Sequence, residues 1–196
     1  MGYCGDMEAA RKLDSYYTYA DYCTWGDDER WELIDGAAYA MAPAPSRGHQ
    51  TISGKLFRQI GDFLDGKPCE VFIAPFDVRL NAGGADDTVV QPDILVVCDE
   101  SKLKNGAGVI GAPDLIIEVL SPSTERRDRV TKFDLYMRSG VREYWIVDPV
   151  SKTVAAHALR GGLGYITRAY DGKETAVPVE VLEGCTIDLG KVFGGI

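Results

Sequence analysis

Val89-Val90-Gln91-Pro92-Asp93-Ile94-Leu95-Val96-Val97 sets a carboxylate inside a run that otherwise reads as a buried strand, and Leu115-Ile116-Ile117-Glu118-Val119-Leu120 does the same further on. Left unpaired in an apolar sheet, either charge would cost on the order of several kcal/mol, so such groups are normally paired, hydrogen-bonded or metal-bound. Neither run contains a basic residue. If the two strands are neighbours, Asp93 and Glu118 point to one spot, where two hard oxygen ligands suit Mg²⁺ or Mn²⁺. The competing reading turns Asp93 to solvent behind Pro92 and pairs Glu118 with an arginine at the strand end.

Outward from these runs the pattern alternates between strands and helices. Arg30 to Met41 reads as two short strands joined across Asp35-Gly36, a hairpin signal. From Ser46, Ile52, Leu56, Ile60 and Phe63-Leu64 recur close to helical spacing, with Gly66 as the stop. Val71 to Ala74 and Asp77 to Leu80 read as a strand pair, and Thr88 to Cys98 as one strand interrupted at Gln91-Pro92-Asp93. After Ser121-Pro122-Ser123-Thr124 a helix is expected over Glu125 to Ser139, presenting Val130, Phe133, Leu135, Tyr136 and Met137 before Gly140 ends it. Glu143 to Asp148 is a further strand. Thr153 to Leu159 and Tyr165 to Tyr170 form a hairpin followed by short extended pieces. Thr18 to Tyr22 reads as a capped short helix, whereas Met1 to Tyr17 lacks clear periodicity and is expected to fray.

The 196 residues suit one compact domain, 18–196, with a core of 18–148, a C-terminal β extension of 149–196 and an N-terminal extension of 1–17. With 45% hydrophobic and 26% charged residues the composition excludes a disordered chain, a collagen-like repeat and a disulfide-stapled miniprotein. No run approaches the roughly 18 to 20 apolar residues of a membrane span. Asp6, Glu8, Arg11, Lys12 and Asp14 occupy the place of an apolar signal core, so neither secretion nor membrane insertion is expected. The five cysteines, Cys4, Cys23, Cys69, Cys98 and Cys185, are scattered, form no C-x-x-C pair and have no histidine at ligand spacing. They read as reduced thiols of a cytoplasmic protein, several of them acting as small hydrophobes. A net charge of −9 and a pI near 4.7 oppose nonspecific coating of nucleic acid, so any DNA contact must be local.

Four segments stand in a fixed order: Glu32-Leu33-Ile34-Asp35-Gly36, Gln91-Pro92-Asp93-Ile94, Glu118-Val119-Leu120-Ser121-Pro122-Ser123-Thr124 and Gly140-Val141-Arg142-Glu143-Tyr144-Trp145-Ile146-Val147-Asp148. Together they resemble the Uma-two family, also known as domain of unknown function 820, in the PD-(D/E)XK nuclease superfamily. The resemblance implies an α/β (α+β) fold of restriction-endonuclease type, a mixed central β-sheet flanked by helices, here with N-terminal and C-terminal β-hairpins. It implies an endonuclease that hydrolyses DNA phosphodiester bonds with Mg²⁺ or Mn²⁺, Asp93 and Glu118 holding the metal and Glu32 standing as a third acidic candidate. The lysine that the superfamily places two residues after the acidic strand residue would fall on Leu120. The resemblance moves it to Lys132 on the following helix. The alternative for Lys132 is a surface i,i+4 pair with Asp128, worth about 0.3 to 0.5 kcal/mol. Because fold analogy does not establish a reaction, a non-catalytic nuclease-fold binding or interaction protein is the rival.

Arg126, Arg127 and Arg129, with Lys132, concentrate positive charge at the start of the helix after Glu118, where free N–H donors add to the attraction for phosphate. A solvated face balanced by Glu125, Asp128 and Asp134 is the alternative. Gln91 is a candidate for positioning a site group. His49 could orient substrate, although capping or packing is the preferred reading of a histidine near a helix start. Asp114 marks where its strand begins, and His157 is given no role. Tyr16, Tyr17, Tyr19, Tyr22 and Trp25 exceed what a short helix can bury, which leads to the expectation of a homodimer.

Overall fold

Alternation along the apolar strands sets up two cores, one on each face of a central sheet. The computed structural model describes residues 15–26, 30–41, 44–103, 106 and 108–195, so most of the extension expected to fray lies outside the described residues. Its central sheet has the order β11-β10-β9-β8-β6-β3: Gly164–Asp171, Thr153–Arg160, Glu143–Asp148, Leu115–Val119, Ile94–Val97 and Glu70–Ile73. Successive strand side chains take opposite faces. Ile94, Val96, Ile117 and Val119 therefore pack with Ile52, Leu56 and Ile60 of α2 (Arg47–Leu64) and with Leu189, Val192 and Phe193 of α4 (Leu189–Phe193). Leu95, Val97, Ile116 and Leu120 meet Ile34, Val78, Val90, Leu135 and Tyr136 on the other side.

A smaller sheet supplies part of that second side, in the order β2-β1-β5-β4-β7: Ala37–Ala40, Trp31–Ile34, Val89–Val90, Val78–Arg79 and Val109–Ile110. The first hairpin forms as its sequence dictates, with Asp35 at φ 49° and Gly36 at φ 75° in the left-handed region that a two-residue turn requires. Two expectations are corrected here. The runs 71–74 and 77–80 do not pair: β3 joins β6 in the central sheet, whereas β4 joins β5 and β7 in the smaller one. The run 88–98 is likewise two strands in different sheets, because Pro92 has no N–H to continue a ladder and the chain crosses over at Gln91-Pro92-Asp93. The tail hairpin is present as β10 and β11, followed by β12 (Val177–Pro178) and β13 (Thr186–Ile187).

β8 and β9 are parallel and are joined by a crossover helix, as parallel strands require. It runs as a π-helix over Arg127–Lys132 and then as α3, Phe133–Ser139. The expected packing face is overturned: Val130 is 62% exposed, while Asp128 and Lys132 turn inward.

The cysteine expectation is also corrected. Cys69 and Cys98 extend the β3–β6 ladder, in which Glu70 faces Val97, and they form a disulfide; Cys23 and Cys185 are free. Connectivity of this kind has no sequence signature, since nothing in the spacing marks two strand ends as partners. The bond removes the cysteine argument for a reducing compartment. Closing a loop over a separation of 29 residues limits the unfolded chain, so reduction is expected to lower stability by about 2 to 4 kcal/mol. Urea melts with and without dithiothreitol measure this; coincident curves would contradict it.

The N-terminal aromatics find partners within the chain. With α1 at Tyr19–Tyr22, Trp25 packs edge-on to Tyr17, Tyr22 and Trp31 at centroid distances of 5.3, 5.4 and 5.9 Å, and the Arg79 guanidinium lies 3.6 Å over Tyr19. The Tyr17 N–H donates to the Gly36 carbonyl, and the Tyr16 hydroxyl donates to Asp87. Among the described residues, no helix is long and apolar enough to cross a membrane.

Candidate active site

Strand register brings the first two carboxylates together. Ile94 lies opposite Ile117 in the antiparallel β6–β8 pair, which sets Asp93 against Glu118 where the pair ends. The Val119 N–H donates to Asp93 Oδ2 at 2.8 Å, and the Asp93 N–H reaches Glu118 Oε2 at 3.4 Å. Glu32 arrives from the smaller sheet because β1 pairs with β5 through Leu33 and Val89, and the Gln91 N–H then donates to Glu32 Oε1 at 3.1 Å.

Lys132 descends from the crossover helix into the gap between the sheets. Its Nζ stands 2.7 Å from Glu32 Oε1, 2.8 Å from Glu118 Oε1 and 3.8 Å from Asp128 Oδ1, and the residue is 4% exposed. The Asp128–Lys132 pair is thus buried and shared, not a surface pair. The Tyr136 hydroxyl donates to Glu118 Oε1 at 2.9 Å, and the Tyr144 hydroxyl to the Asp128 carbonyl at 3.1 Å. Arg127 approaches Glu32 Oε2 at 3.4 Å with its guanidinium 4.9 Å over Tyr39. His49 Nε2 lies 3.1 Å from Asp93 Oδ2, and its backbone N–H is capped by Ser46 Oγ. His49 Nδ1 is buried without a hydrogen-bond partner among the described residues.

Glu32, Glu118 and Asp128 therefore face Lys132, Glu32 also meets Arg127, and Asp93 beside them pairs with His49. Burial, then the charges of Asp128, Asp93 and Glu32, outweigh Lys132 and hold the Glu118 carboxyl well above its ordinary range. Burial also pushes Asp128 up, to about 6. For Lys132, burial alone would favour the neutral amine, but Glu118, Glu32 and Asp128 keep its ammonium well above the usual lysine range. The cluster thus protects the ammonium. Burial would likewise lower His49, yet its hydrogen bond to Asp93 and the Asp93 charge hold it above its ordinary value.

A metal fits this donor set in one way. Glu118 Oε1 is taken by Lys132 and Tyr136, while Oε2 meets only the long N–H contact among the described residues. Asp93 and Glu118 are hard oxygen donors, and Mg²⁺ is commonly held by one or two carboxylates with water and substrate phosphate in the other positions. Among the described residues, no group of three or more His, Cys, Asp or Glu side chains is placed to hold a metal ion, so the fit rests on these two carboxylates.

A family model described as "Putative restriction endonuclease", Uma2, matches residues 16–190. The chain belongs to the Uma2 family. Two relatives come from Synechocystis sp. (strain PCC 6803): the uncharacterized protein slr1290 is 35% identical over 134 residues, 67% of this chain and 68% of that one. The uncharacterized protein sll1609 is 30% identical over 122 residues, 61% of this chain and 67% of that one. A crystal structure of a putative nuclease of DUF820 from Anabaena variabilis ATCC 29413 superposes with a TM-score of 0.72 at 20% identity, covering 90% of this chain and 97% of that one. This likeness makes the Uma2 fold restriction-endonuclease-like.

The other Uma2 site residues read from the sequence are distributed differently. The Gln91 side chain leaves the acid cluster: its Nε2 donates to Asp77 Oδ1 at 2.8 Å and its Oε1 accepts from Arg30 Nε at 3.1 Å. Arg129 pairs with Glu125 at 2.8 Å and Asp148 at 3.2 Å, so only Arg126 of the three arginines is exposed without an ion pair among the described residues. Asp114 is a brace, accepting from the Cys98 N–H and from Arg142 at 2.8 Å each. Asp128 and Tyr136 are site residues that sequence reasoning missed. The spacing 128, 132, 136 on one helix was the available signal, hidden by reading Asp128 as exposed and Tyr136 as apolar packing.

Proposed function

We propose that the chain is an endonuclease that hydrolyses DNA phosphodiester bonds, with Asp93 and Glu118 holding Mg²⁺ or Mn²⁺. The observation that carries this reading is the buried Lys132 ammonium held between Glu32 and Glu118 beside Asp93, a cluster whose acids outnumber its cations. A cation bound there supplies Lewis-acid polarisation of a phosphoryl oxygen and a more acidic water. Lys132 stabilises developing negative charge on the phosphate or positions the attacking water, with Glu32 fixing its ammonium in place. Tyr136 orients Glu118, and His49 with the Val119 N–H orients Asp93. Arg126, exposed and without an ion pair among the described residues, attracts the backbone. A two-fold pair would suit cutting both strands, and light scattering at micromolar concentration tests it.

A second reading, a nuclease-fold protein that binds without cutting, is favoured by one observation: both short contacts of Lys132 go to carboxylates of its own chain. Incubation of plasmid DNA with wild type, Asp93→Asn and Lys132→Ala in Mg²⁺, Mn²⁺ or EDTA separates the two. Cleavage by wild type, abolished by EDTA and reduced about a hundredfold or more in both variants, is expected. Intact plasmid throughout, with DNA still bound, would transfer the case to the second reading.

A further inference from the structure

A cleft of about 300 Å³ lies on the far face of β1 from the acid cluster, lined by Tyr22, Trp25, Arg30, Trp31, Asp77 and Gln91, with the exposed thiol of Cys23 at its side. Its size is at the lower end for ligand sites, room for one planar heterocycle. Three aromatic rings share its wall, Trp25 packing edge-on against Tyr22 and Trp31. The polar side is preorganised. Asp77 Oδ1 accepts from the Tyr22 hydroxyl at 3.2 Å and from Gln91 Nε2 at 2.8 Å, and Gln91 Oε1 in turn accepts from Arg30. An indole and a phenol beside a carboxylate, an amide and a guanidinium are the groups that stack on a base and hydrogen-bond its edge.

The connection to the acid cluster is covalent and short. Trp31 and Glu32 are consecutive on β1 and take opposite faces, while Gln91 gives its N–H to Glu32 and its side chain to the cleft. The geometry points to a pocket for an unpaired nucleobase of the same DNA strand whose phosphate reaches Asp93 and Glu118. This assignment rests on the nuclease reading and names the form of its substrate: a strand with at least one base free of its partner.

The test is binding, in EDTA so that no cleavage intrudes. Titration with a short oligodeoxycytidylate is expected to quench tryptophan fluorescence saturably, and an abasic oligomer with the same number of phosphates is expected to leave it unchanged. Trp25→Ala should weaken binding about tenfold, and Trp25→Phe should restore most of it. Should Trp25→Ala fail to fold, alkylation of Cys23 in the wild type, read on its own peptide, gives the same answer: the base-bearing oligomer slows it and the abasic one does not. Equal effects of the two oligomers on fluorescence and on Cys23 overturn the inference even if plasmid is cut. Free deoxycytidine monophosphate binding as tightly as the oligomer overturns the strand assignment in favour of a nucleotide site. Base-dependent strand binding without cleavage in Mg²⁺ upholds the cleft and removes the nuclease reading.

Discussion

Lys132→Met is expected to lose about 3 to 5 kcal/mol of stability at pH 8, because it leaves buried Glu32, Glu118 and Asp128 without their shared cation. The loss depends on pH, with a sign set by the shifts. Glu118 and Asp128 have folded-state values raised above the ordinary carboxylate range, Asp128 to about 6, so their contribution to stability is fully present below that ordinary range and is lost as pH rises through the raised values. Lys132 is raised as well, so its contribution is present below the usual lysine value and disappears only at strongly alkaline pH. Removing the lysine raises the carboxyl groups further. The deficit of Lys132→Met relative to wild type should therefore shrink between pH 7 and pH 5, as the acids take up protons. Urea melts of both proteins across this range measure it. A deficit that stays constant with pH would mean that the methionine fails through packing and that the acids were never in charge contact with Lys132.

Divalent metal is expected to act with the opposite sign on the same cluster. Mn²⁺ or Mg²⁺ at a hundredfold excess over its dissociation constant should stabilise the wild type by about 2.7 kcal/mol. Asp93→Asn should abolish that gain. Without metal, Glu118→Gln is expected to be neutral or stabilising, because it removes a carboxylate that burial and repulsion hold well above its ordinary range, while Lys132 keeps Glu32 at 2.7 Å. Thermal melts of these three proteins, each with and without Mn²⁺, decide whether the acids serve a cation or only Lys132. A destabilised Glu118→Gln together with a wild type indifferent to Mn²⁺ would sink the metal site.

The meeting of Asp93 and Glu118 was legible because each interrupts an apolar run, and a shared site is one way to make two such interruptions tolerable. Lys132 and Glu32 became readable through resemblance, since 100 and more residues of sequence bring no periodic signal linking a hairpin to a crossover helix. What stayed hidden depended on facing. Val130 faces solvent while Asp128 and Lys132 turn inward, the reverse of what their polarity suggests; the i,i+4 spacing allows that face, but polarity argues against burying it. Gln91 sits within the motif, yet its side chain leaves the cluster because the chain changes sheets there. Cys69 and Cys98 pair through strand register, which two cysteines 29 residues apart do not announce. The basic trio reads as a phosphate patch by composition, but Arg127 reaches Glu32 on the smaller sheet, and Arg129 joins Glu125 one turn back and Asp148 at the end of β9.

The passage of the chain from one sheet to the other at Gln91-Pro92-Asp93 also dictates when the acid cluster can exist. Glu32 rides on the first sheet, Asp93 and Glu118 on the second, and Lys132 on the connection that follows. A ribosome delivers these parts N-terminal first. While only the first hundred residues have emerged, Glu32 and Asp93 are present but their ammonium partner has not been made, and the contact between Glu32 and Lys132 joins segments far apart in sequence, whose pairing is among the slow events of folding. A nascent or half-folded chain therefore carries none of this site, and whatever chemistry the cluster performs begins only when the two sheets have closed over Lys132.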